Sequence, residues 1–89
     1  MTDSAARLTL AHVLGRFPED ALLIRRLVLA DPAFRSACED YALARETLTR
    51  FEALPEKPTE VADYVSVIAA LEDEIAADLR NAVRLTGET

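Results

Sequence analysis

Apolar residues in this chain recur every three or four positions, and where the recurrence breaks, a proline or glycine usually stands at the break. That spacing marks one face of an α-helix. No stretch alternates apolar and polar residues with β-branched enrichment, and no Asn-Gly or Asp-Gly hairpin turn occurs. The pattern predicts an all-α fold, organised as one helical domain over 1–89. Its weakest helix is 4–15, which Ser4 could cap and Gly15 could end; Ala6, Leu10, Val13, Leu14 and Phe17 share a face, with His12 on the other side. Pro18 starts the next, about 18–30, with Glu19 and Asp20 in the first turn, where the helix dipole favours acids. Leu22, Leu23, Ile24, Leu27, Val28 and Leu29 surround this short helix and leave only Arg25 and Arg26 as polar relief, so it needs cover on more than one side.

Asp31-Pro32 is a restart signal, with Asp as N-cap and Pro at the first helical position. A helix of about 32–54 follows, with Phe34, Cys38, Tyr41, Ala44, Leu48 and Phe51 on its stripe and Glu46 four residues before Arg50 in the favourable order. Pro55-Glu56-Lys57-Pro58 breaks the chain. Thr59 then caps a last helix of about 60–85, striped by Val61, Tyr64, Val65, Ile68, Leu71, Ile75, Leu79, Ala82 and Val83 and ended by Gly87. At 1.5 Å per residue these two helices measure roughly 33 and 39 Å, and so short a connection makes them antiparallel.

A turn centred near residues 57–59 sets facing residues at numbers totalling about 116, which pairs Phe51 with Val65, Leu48 with Ile68, Ala37 or Cys38 with Leu79, and Phe34 with Val83. Three charges interrupt the stripes: Arg45, Glu52 and Glu72. The same register sets Arg45 against Glu72 as a cross-hairpin ion pair, and Glu52 against the Tyr64 phenol. Such a pair penalises register slips more than it stabilises. The alternative is that all three reach for solvent from the edge of the stripe.

Composition changes the picture in three ways. At 51% apolar and 29% charged, the 89 residues are those of a small globular chain, whose core is modest enough that oligomerisation is a common remedy. The net charge of −6 argues against nucleic acid and anionic membranes as partners. The imbalance is local: residues 1–54 hold seven Arg against eight acids, whereas 55–89 hold three cations against eight acids, so a partly basic partner is favoured at the C-terminal segment. Arg7 followed by LTLAHVLG is too short and too polar for a signal peptide, and no run reaches membrane-spanning length. With one cysteine and so no internal disulfide, the expected location is the cytoplasm.

The chemical inventory is thin. Cys38 lies on the core stripe with no neighbouring His or basic residue, as an inert buried thiol would. His12 stands alone. No Cys-x-x-Cys, His-x-x-x-His or Glu-x-x-His spacing offers metal ligands, and Glu72-Asp73-Glu74 diverge by about 100° each on a helix. No cofactor or catalytic residue is expected. What remains is apolar surface: Leu43 and Leu54 point away from the hairpin seam, and the second helix has more than one neighbour can cover. Leu22, Ile24, Leu27, Val28, Leu29, Leu43 and Leu54 are the candidate interface. The reading is a non-catalytic helical interaction module, a small adaptor or regulator, pairing with itself as a homodimer, with an unidentified protein, or with both. The alternatives are a thiol redox sensor using Cys38, and a metal or small-ligand carrier using the acidic last helix.

The Phe17-Pro18-Glu19 opening, the Asp31-Pro32-x-Phe34 restart and Glu52 before the loop resemble the small YdcH-like helical-hairpin proteins of bacteria, over roughly three quarters of the chain. The chain departs from them in carrying residues 1–16, and in having Cys38-Glu39-Asp40-Tyr41 where they have more basic, His-containing text. The resemblance implies a helical hairpin and supplies no activity.

Overall fold

The computed structural model describes residues 10–87, and all of their regular structure is helical. The first helix, α1, is described over 10–16, which leaves Ser4 and Ala6 outside the described residues. It runs through Gly15, where an end was expected. That glycine does not take a positive φ, and the Phe17 N–H still donates to the Val13 carbonyl at 2.9 Å, so the α ladder continues past it. Residues Pro18–Asp20 form a 3-10 turn, and α2 occupies Ala21–Ala30, so the expected helix 18–30 begins as the tighter form. The Asp20 N–H bonds the Phe17 carbonyl at 3.1 Å with three-residue spacing, and Asp20 itself (φ −107°, ψ 20°) departs from α geometry.

Asp31 separates α2 from α3, Pro32–Glu52, as its sequence requires. Its Oδ1 accepts the Ala33 and Phe34 N–H groups at 3.0 and 3.3 Å, occupying two donors that a helix start otherwise leaves open. Asp31→Ala is expected to lower stability by about 1 kcal/mol, read as a lower urea midpoint at unchanged slope. The helix α3 stops two residues short of the expected 54. The Ala53 and Leu54 N–H groups fall back to three-residue bonds with Arg50 and Phe51, and Pro55 disfavours α geometry in the residue before it. The final helix, α4, spans Pro58–Gly87. Thr59 is therefore not its cap: Pro58, whose φ is already helical, takes the first position, and the first intrahelical bond runs from the Val61 N–H to the Lys57 carbonyl at 3.1 Å.

The α3–α4 hairpin has the most extensive interface, and α4 sets the long axis of a 53 × 29 × 20 Å molecule. One continuous core joins Val13 of α1, Ile24 of α2, Phe34, Ala37, Cys38, Tyr41, Ala44 and Leu48 of α3, and Ile68, Ile75 and Leu79 of α4. Val61, Tyr64 and Leu71 pack against it and Phe51 is half-buried, so the expected hairpin core holds with one exception. Val65 is 51% exposed and Val83 53%, so neither is the buried seam residue that the Phe51–Val65 and Phe34–Val83 pairings expected. The register is tighter than expected. Phe51 meets Tyr64 with ring centroids 5.4 Å apart, numbers totalling 115, and Tyr41 meets Glu72, totalling 113.

That shift decides the polar contacts. The Tyr41 hydroxyl donates to Glu72 Oε2 at 2.8 Å, and Arg16 Nε lies 3.2 Å from the same oxygen. The expected Arg45–Glu72 ion pair is thus replaced by contacts from Tyr41, one turn earlier on α3, and from α1. The physical reason is burial: the Tyr41 phenol is 1% exposed and needs an acceptor, whereas Arg45 is exposed and water serves it. Glu52 is likewise exposed, and Tyr64 packs on Phe51 rather than receiving a carboxylate. Glu46 lies 3.4 Å from His12 Nε2 in place of the expected pair with Arg50.

Candidate functional site

Three groups invite a chemical reading: Cys38, His12 and the acidic run 72–74. Cys38 lies at 0% exposure in the middle of the core. Burial, then the carboxylates of Asp78 and Glu39, push its thiol from 9.0 up to about 12. His12, expected on the polar side of α1, faces Glu46 of α3 and ties the two helices together. The run Glu72-Asp73-Glu74 splits by helical phase: Glu72 turns inward to Tyr41 and Arg16, while Asp73 and Glu74 are exposed. Among the described residues no group of three His, Cys, Asp or Glu side chains is placed to hold a metal ion.

The Tyr41–Glu72–Arg16 node fixes α1 on the hairpin. Arg16 is held twice, by the Glu72 carboxylate and by its guanidinium lying 4.9 Å from the Phe17 ring centroid. Burial and the hydrogen bond to Glu72 push the Tyr41 phenol from 10.0 up to about 12. The folded chain thus favours the neutral phenol, and this contribution to stability is complete below pH 10.0 and disappears as pH rises toward 12. Tyr41→Phe is expected to cost about 1 kcal/mol at neutral pH, a value held down because Glu72 keeps Arg16. Urea midpoints followed through the alkaline range should decline less steeply for this variant than for the parent. Neither α1 contact is legible in the sequence, since His12 and Arg16 sit outside the two helices whose stripes define a register.

The candidate interface divides. Ile24 is 0% exposed and belongs to the core, which corrects its assignment to an interface. In a helix apolar nearly all round, sequence does not say which side is covered, and α2 turns Ile24 inward. Leu27 and Val28 are half-buried against the same core. Leu22, Leu29, Leu43 and Leu54 remain exposed, at 67%, 89%, 62% and 42%.

Three of these exposed residues fall on two faces, while Leu54 lies past the end of α3 in the connection to α4. On α2, Leu22 and Leu29 are two turns apart on the side opposite Ile24, with exposed Arg25 and Arg26 between them. On the hairpin, Leu43 lines an open groove of about 350 Å³ with Asp40, Ala44, Thr47, Tyr64, Val67 and Leu71. Val67, 46% exposed, was absent from the sequence reading because it falls outside the α4 stripe. The contacts of α1, to Glu46 and Glu72, mark the other flank of the hairpin, so helical phase sets this groove on the flank that α1 does not cover. None of the described helices is long and apolar enough to cross a membrane. Comparison with family models, curated proteins and solved structures finds no match to this chain.

Proposed function

We propose that this protein is a non-catalytic helical interaction module that associates with itself. The observation that carries the reading is the open groove between α3 and α4, where Leu43 and Val67 stay 62% and 46% exposed beside the buried hairpin core. Large side chains left uncovered on a rigid scaffold gain from meeting another apolar surface, by about 25 cal/mol for each Å² removed from water. The buried, protonated thiol of Cys38 supports this reading over a redox sensor. Light scattering over a concentration series, from about 10 µM to about 1 mM, tests it in the affinity range of small interfaces. The expected result is a mass that rises from one chain toward two or more. A mass fixed at one chain throughout overturns self-association.

A further inference from the structure

We infer that the association is head-to-tail, with the outer face of α2 on one copy seated in the α3–α4 groove of the next. This rests on the self-association proposed above and adds its geometry. The argument begins with charge. Within α2 the charged residues are Arg25 and Arg26, both exposed between Leu22 and Leu29; Arg35, beside Leu29, is already paired with Glu39 at 3.6 Å and adds no free charge. Leu22 and Leu29 project from this basic face, and only its flank toward Leu10 and Val28 is hollow. The groove is its complement: Asp40 is part of the lining, and helical phase sets Glu60, Asp63, Glu74 and Asp78 on the same side of α4 as Val67 and Leu71. Arg50 lies at the turn end of this flank, beside Glu60 and Asp63 in the hairpin register, so the acidity of the groove rests on Asp40, Glu74 and Asp78.

Like faces fit badly. Two α2 ridges brought together would oppose arginines, and two grooves would oppose carboxylates and leave a hollow between them. Ridge into groove pairs opposite charges instead. The dimensions also agree. Leu22 and Leu29 are one heptad apart, about 10 Å along a helix, and each groove wall, Asp40–Thr47 and Tyr64–Leu71, is one heptad long. A ridge and a groove on different parts of one surface make a heterologous contact, which propagates from copy to copy unless the rotation closes a ring.

Two variants test this: Leu29→Glu disables the ridge and Leu43→Glu disables the groove. Both positions are exposed, so the fold should persist, and far-UV circular dichroism verifies it. Each variant alone should associate at least about tenfold more weakly than the parent, the loss expected for burying one leucine. An equimolar mixture retains one intact ridge and one intact groove, and should form a one-to-one dimer that grows no further. Raising salt should weaken parent and mixture alike, because the paired charges lie at an exposed interface. A parent that associates while the mixture stays monomeric overturns the head-to-tail geometry and leaves self-association standing. A parent that never associates overturns both.

Discussion

Replacing Phe34 by alanine should lower the stability of this protein by about 3–5 kcal/mol, the largest loss expected from a single truncation here. Phe34 is 1% exposed, and it lies in the same cluster as Val13, Ile24, Ile75 and Leu79, so the cavity left behind touches the core shared by all four helices. Its backbone N–H is held by Asp31 Oδ1 at 3.3 Å, which limits how far the first turn of α3 can move inward to fill the space. A domain of this length is stable by about 4–13 kcal/mol, so the variant loses a large part of the total. Urea unfolding followed by circular dichroism measures it. A loss below about 1 kcal/mol would mean that the first turn of α3 moves inward and fills the site despite the Asp31 cap. Leu29→Ala is the contrast: at 89% exposure it should change monomer stability by no more than about 0.5 kcal/mol.

The difference between these two residues also marks how far the sequence could be read. Prolines and the Asp31 cap act on the backbone around them, so the breaks at 18, 31 and 55–58 were legible to within a residue or two. The core stripe was legible because Phe34, Cys38, Tyr41, Leu48, Ile68, Ile75 and Leu79 repeat at the helical period. Register was harder. Tyr41 and Arg45 are one turn apart on the same face, and choosing which of them meets Glu72 needs the crossing to within one turn, together with the knowledge that α1 delivers Arg16 to the same carboxylate. The groove was half legible. Leu43 stood out as an apolar residue off the stripe, but Val67 gains meaning only once α3 and α4 are side by side. The side of α2 that faces inward had no local signal, and Ile24 was misplaced for that reason.

Cys38 should react with a small alkylating reagent near pH 8 about a thousand times more slowly in the folded chain than in the denatured one. Only the thiolate attacks, and each unit by which the pKa rises cuts the thiolate fraction tenfold at a pH below both values. A rise from 9.0 to about 12 is three such steps. At 0% exposure the sulfur is also reached when the structure opens, so the observed ratio follows whichever route is faster, direct attack or attack after opening. The same shift governs alkaline stability. Folding holds the proton, so this contribution is complete below pH 9.0 and is lost as pH rises toward 12, and Cys38→Ala should remove that part of the decline. The two measurements separate the functional readings. A native rate within about tenfold of the denatured rate would require a thiolate that forms and meets solvent in the folded protein, and thiol chemistry would then displace docking as its function. A thousandfold protection leaves the cysteine as packing and removes thiol chemistry as a rival to the proposed docking.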